Sequence, residues 1–255
     1  MNHNRNVFTA KENVRILSII VLICIPFYES DFQHISLIWG ILLLIQGNVK
    51  RISRNRWYLY WLRMTLYFLP YSFPCLIFCK TWSSDVYGLV WGGFAALLTF
   101  HIWYLISRKK IKVMLSNQMI IDCYKDSFFV LSMKIYNLIG AAICEELFFR
   151  FYILTRDSPL MILFLISVVY FILCHYLLPW SEDFSFYDYI NQLVIGTANA
   201  VIFILFDSVV PCIFLHLLVN SISIQKYIKI IDRYYLRPRK YEALLDNSLF
   251  DGIEI

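Results

Sequence analysis

The chain has 255 residues, of which 60% are hydrophobic, 18% aromatic and 16% charged, with a formal net charge of +5. Soluble domains run near about 45–50% apolar and about 25% charged, so an ordinary soluble domain is excluded and a polytopic membrane protein is indicated. Eight glycines are too few for Gly-rich linkers or phosphate loops. The basic residues sit at the ends of apolar runs, as in cytoplasmic loops of membrane proteins, which argues against a nucleic-acid partner.

Residues 1–13 are polar and of mixed charge. The first apolar run, Val14 to Tyr28, lacks a small-residue cleavage site and is soon followed by another, so it reads as a span and not as a signal peptide. The second, Ile35 to Gln46, is short but extends into its flanks. A basic loop with Lys50, Arg51, Arg54 and Arg56 follows. The third run, Trp57 to Cys79, carries Arg63, expected to snorkel to the interface. Its Pro70 and Pro74 predict a kink. The fourth covers Val86 to Ile106. Arg108 to Asp126 is polar, headed by Arg108, Lys109, Lys110 and Lys112, and its Ile111, Val113, Met114 and Leu115 suit the membrane surface.

The fifth run, Ser127 to Leu154, is followed by the turn Arg156-Asp157-Ser158-Pro159. The sixth, Leu160 to Leu178, is closed by Pro179, and Ser181 to Asp188 form an acidic, aromatic loop. The seventh is Tyr189 to Phe206; Asp207 and Ser208 break it, and the eighth runs from Val209 to about Ile224. The fold class is therefore all-α, a membrane bundle of about eight helices. Basic clusters fall in the even-numbered connections, while Lys80 and Arg156 stand alone in the odd ones. This asymmetry puts both termini in the cytoplasm, and the Ile-rich, Gly-poor composition suits a bacterial plasma membrane. The seven cysteines are scattered, with no CxxC pair, and read as buried apolar residues.

The fifth run contains Glu145, Glu146 and Arg150, three charges within six residues of an apolar segment. Charges inside a membrane helix are expensive and mark function. Glu146 and Arg150 are four apart on one helix face, the spacing of an ion pair. Glu145 points about 100° away, so one acid is held while the other can titrate, as a general base must. Taken alone, the Glu146–Arg150 pair also fits a purely structural lock between helices. His175 lies near the end of the sixth run and can share a water with Glu145; alone it reads as an interhelical hydrogen-bonder. His216 and Asn220, again four apart in the eighth run, can offer two donors to a developing oxyanion or simply bridge helices. Cys144 and Cys174 adjoin Glu145 and His175 in sequence, but neighbours on a helix do not face each other.

Glu145 to Arg150 matches EExxxR, Phe171 to His175 matches FxxxH, and His216 to Asn220 matches HxxxN. In that order, on separate membrane helices, these motifs resemble the CPBP family of intramembrane proteases. That family includes prenyl-protein (CAAX) endopeptidases and bacterial relatives linked to bacteriocin maturation and self-immunity. The resemblance covers roughly residues 127 to 224. With the apolar runs it gives three parts: membrane helices and a basic surface segment over 1–126, read from the residues, the catalytic helical core that the resemblance implies over 127–224, and a cytoplasmic tail over 225–255. It also implies Glu145 as the base that activates water, His175 assisting, His216 and Asn220 as the oxyanion hole, and Glu146 and Arg150 as supporting residues. The implied substrate is a membrane-associated or lipidated peptide, such as a CAAX protein or a bacteriocin or pheromone leader. The alternative is a non-catalytic membrane immunity or regulatory protein with the same fold. A proton-coupled transporter would also bury Glu and His, but it would more naturally show repeated halves. No cofactor is expected from the glutamate mechanism. The family has also been described as metal-dependent, and in that case Glu145, His175 and His216 would be the zinc ligands.

Overall fold

A computed structural model describes residues 30–49, 51–53, 55–78, 85–116, 120, 126–177 and 186–236. The first run, residues 1–13, the tail beyond Leu236 and most of the acidic loop lie outside the described residues. Every regular element among the described residues is helical. In chain order they are α1 (Ser30–Val49), α2 (Trp57–Phe68), a 3₁₀ turn (Leu69–Ser72), α3 (Phe73–Phe78), α4 (Val86–Met114) and α5 (Phe128–Glu146). A π turn (Leu147–Tyr152) continues α5, followed by α6 (Leu160–Leu177), α7 (Phe186–Phe206), α8 (Val209–Ile231) and a second π turn (Asp232–Leu236).

Four of these stretches are long and apolar enough to cross a membrane: Asp31–Val49, Val86–Met114, Phe128–Tyr152 and Val209–Leu236. Leu160–His175 and Ile190–Phe206 are shorter apolar helices. Large apolar side chains such as Leu76, Val90, Ile106 and Leu205 face outward. This is the surface expected where the solvent is lipid. The chain is an integral membrane protein.

The elements follow the apolar runs, with instructive differences. Pro70 sits in the first positions of the 3₁₀ turn, and the third run breaks there into α2 and α3, as a missing N–H and a fixed φ require. The fourth run extends to Met114, straight through the Arg108–Lys112 cluster. Lys and Arg are good helix formers, so the sequence contains nothing to stop α4 where the charge begins. Arg63 does not snorkel outward. It is buried, and its guanidinium turns to the carbonyl of Ile52 (3.3 Å) and the hydroxyl of Tyr67 (3.4 Å). The freed carbonyl of the preceding loop supplies an inward acceptor that outcompetes the interface.

α8 is the central helix, packed against α5, α4 and α7. Small residues permit its approach to α4: Gly88, Gly92 and Ala96 are buried on one face. A Cβ at Gly92 would lie 2.6 Å from Pro211 Cγ. At the other end Lys229 Nζ reaches the carbonyl of Leu115 at 3.3 Å. α4 and α8 therefore run parallel and end on the same side. The α7–α8 junction is a two-residue turn in which Asp207 adopts φ 45°, a conformation that Asp tolerates better than most residues. The described cysteines Cys75, Cys144, Cys174 and Cys212 are free thiols, and the last three are buried.

Gly92→Leu forces α4 away from α8. The expected loss is about 1–3 kcal/mol, the usual range for overpacking, read as a lower melting temperature of the detergent-solubilised protein. An unchanged melting temperature would refute this close helix contact.

Candidate active site

The charged cluster lies where α5 passes into the π turn. Glu145 and Glu146 are the last residues of α5, and Arg150 lies within the π turn. π turns recur at functional sites because they re-aim side chains and release carbonyls from the helical ladder. Two carbonyls here are taken by neighbouring elements. Cys75 Sγ, from α3, donates to Leu147 O (2.9 Å), and Ser167 Oγ, from α6, donates to Phe149 O (2.6 Å).

Glu146 and Arg150 are both fully buried. Arg150 Nε lies 3.2 Å from Glu146 Oε2, a contact held by charge and not by an aligned hydrogen bond. Arg150 Nη1 donates to Ser167 Oγ at 2.9 Å, and its guanidinium carbon stands 4.9 Å from the centre of the Phe171 ring. Glu146 has a second partner that helical spacing alone does not reveal. His216 Nδ1, from α8, donates to Glu146 Oε1 at 2.8 Å. Asn199, fully buried on α7, lies near the same carboxylate, and its side-chain amide has no hydrogen-bond partner among the described residues.

Glu145 is turned to a different neighbour. It is 6% exposed, and its Oε2 has no hydrogen-bond partner among the described residues. His175 Nε2 lies 3.7 Å from that oxygen, too far for a direct hydrogen bond. The tautomer of His175 follows from its other nitrogen: Nδ1 is 2.7 Å from the Phe171 carbonyl, which can only accept. Nδ1–H is therefore the donor, and Nε2 is the nitrogen turned toward Glu145.

Phe171 gives the FxxxH spacing its physical meaning. One turn before His175, its carbonyl orients that imidazole, while its ring packs against Arg150 and, edge-on at 6.0 Å, against His216. Gly196 of α7 makes room for the ring, since a Cβ there would lie 2.9 Å from Phe171 Cδ1. Asn220 is one turn beyond His216 and half-buried; its Nδ2 donates to the carbonyl of Leu138 on α5 at 2.9 Å.

The structure thus gathers Glu145, Glu146, Arg150, His175 and His216 from the π-turn end of α5, from α6 and from α8. Asn220 is anchored beside them on the α5–α8 contact. Ser167 and Asn199 belong to the same cluster and were not singled out from sequence. The available signal was that each is a polar residue in an apolar run.

Among the described residues no three His, Cys, Asp or Glu side chains are grouped as a metal ion would need, so Glu145, His175 and His216 do not converge as the zinc ligands of the metal-dependent reading. Both histidines donate Nδ1–H to an oxygen acceptor, Glu146 and the Phe171 carbonyl, and so keep Nε2 for another partner.

Residues 127–222 match the family model described as type II CAAX prenyl endopeptidase, Rce1-like. The match spans less than half of the chain, coincides with the segment that carries all three motifs, and bears out their resemblance to the CPBP intramembrane proteases. It supports a CAAX-type intramembrane endopeptidase in general. No curated protein and no solved structure matches the chain.

Arg150→Ala strands Glu146 as a buried charge. Removing one partner of such a pair costs about 3–5 kcal/mol, so the variant is expected to be poorly folded or to melt far below wild type. Near-wild-type thermal stability in detergent would show that Arg150 does not neutralise Glu146.

Proposed function

We propose that the chain is an intramembrane endopeptidase in which Glu145 activates the water that hydrolyses a peptide bond. The observation that carries this reading is the pairing of Glu145 Oε2 with His175 Nε2 at 3.7 Å. With Nδ1–H committed to Phe171, both facing atoms are acceptors. A water about 2.8 Å from each donates one O–H to each, which is the position of a nucleophile. Glu145 takes the proton as the water oxygen attacks the scissile carbonyl carbon. The C–N bond then breaks, and the proton passes to the leaving amine.

The developing oxyanion is stabilised by His216 and Asn220. Because His216 donates Nδ1–H to Glu146, it can donate Nε2–H only as an imidazolium, and the Glu146 carboxylate is placed to balance that charge. Asn220 commits one amide hydrogen to Leu138 and keeps the other. Glu146 and Arg150 are supporting residues that hold His216.

The substrate is a small membrane-associated or lipidated peptide or protein, either a CAAX-type tail or a bacteriocin or pheromone leader. The enzyme sits in a bacterial plasma membrane with both termini cytoplasmic. A burial pattern of this kind also suits a non-catalytic immunity or regulatory protein with the same fold, and the experiment below separates the two.

Glu145→Gln keeps the shape of the site and removes the base. Wild type and variant are expressed equally in a strain lacking the gene, and membrane and secreted peptides are profiled by mass spectrometry. A precursor is expected to accumulate only with the variant, and its cleavage by purified protein to slow about 10²–10⁴-fold. Identical peptide profiles would overturn catalysis by Glu145 and leave the immunity or regulatory role.

A further inference from the structure

The basic head of the segment after the fourth apolar run plays no part in the site above. The structure folds it into something specific. Arg108, Lys109 and Lys112, on the last turns of α4, line an open groove of about 660 Å³ together with Lys229 of α8. Tyr104, Ile111, Leu115 and Ser116 also line it, and no acidic side chain is among these described residues. A volume of this size is that of an ordinary small-molecule site.

Helix length sets the depth of this groove in the membrane. At 1.5 Å per residue, Val86 to Arg108 spans about 33 Å and Val209 to Lys229 about 30 Å, close to the roughly 30 Å thickness of the hydrocarbon core. α4 and α8 run parallel from a common end, fixed by Gly92 against Pro211 and by Lys229 on Leu115 O. Both helices therefore bring their cations to one plane, at the headgroup level of one leaflet. Tyr104, one turn below Arg108, is the kind of residue found at that boundary.

Four cations brought together, with no carboxylate among the described residues that line the groove, repel one another unless an anion joins them. Lys229 commits one of its three donors to Leu115 O and retains two. The groove is lined by apolar as well as basic groups and lies beside the lipid-facing Leu105 and Ile106, so an acyl chain can follow the helix surface away from it. We propose that this groove binds the phosphate of an anionic lipid headgroup, with Arg108, Lys109, Lys112 and Lys229 as its ligands. Basic pockets between membrane helices are the usual setting for such recognition. The site lies outside the Glu145–His175 cluster and stands whether or not the chain is a protease.

The test is lipid retention by the purified full chain. Delipidated protein in detergent is titrated with phosphatidylglycerol or with phosphatidylcholine and analysed by native mass spectrometry. The variant Arg108→Gln/Lys109→Gln/Lys112→Gln is compared with the charge-conserving Arg108→Lys/Lys109→Arg/Lys112→Arg. Wild type and the charge-conserving variant are expected to bind phosphatidylglycerol in preference to phosphatidylcholine. The Gln variant is expected to lose about fivefold in affinity per cation removed, with an unchanged melting temperature. Equal binding of the two lipids by wild type, or undiminished phosphatidylglycerol binding by the folded Gln variant, would overturn the proposal. Displacement of the lipid by millimolar inorganic phosphate would do the same, because it would make this a free-phosphate site and not a lipid site.

Discussion

The arrangement of this bundle depends on keeping one guanidinium and one carboxylate in its dry centre. Each buried ion costs several kcal/mol to desolvate, and only good pairing and further hydrogen bonds offset that cost. Arg150 and Glu146 cannot do this alone, since their 3.2 Å contact lacks hydrogen-bond alignment. The remainder comes from elsewhere in the chain: Ser167 and the Phe171 ring from α6 and His216 from α8. Two helices are thereby tied to one end of α5. The π turn is part of the same solution, because its loosened carbonyls accept hydrogen bonds from Cys75 and Ser167.

Glu146 and Glu145 are adjacent in sequence but differ in surroundings: Glu146 is held by Arg150 and His216, whereas Glu145 faces a single imidazole across a gap. Phe171 links the two halves. Its ring packs against Arg150, His216 and His175, and its carbonyl orients the His175 imidazole, so a shift of α6 would alter both.

Lipid imposes the second constraint. Outward-facing Leu, Ile and Val side chains are comfortable there, and the helices gain little by hiding them. Close packing instead uses small residues, as where Gly88, Gly92 and Ala96 admit α8 and its preceding turn. The same parallel pairing that brings α8 within reach of α5 also carries the basic ends of α4 and α8 to one membrane face. The position of His216 in the site and of Lys229 in the basic groove are two consequences of one helix packing.

Much of this was legible in the sequence. Apolar runs bounded by charge and proline specify helices in lipid, because an unsatisfied backbone cannot cross it. The described helices follow the expected runs, and the break at Pro70 and the boundary at Asp207 appear where local chemistry demanded them. The i, i+4 spacing of Glu146 and Arg150 announced their pairing, because neighbours on one helix face are set by the helical period. Contacts between helices have no such period. The bond from His216 to Glu146 spans 70 residues, and the inward turn of Arg63, the inclusion of Ser167 and Asn199 and the convergence of Lys229 with Arg108 were decided only when the helices packed. Local sequence determined which segments become helices and which charges they bury; tertiary structure determined which partner each buried charge meets, because that choice depends on distances between segments that no spacing along the chain encodes.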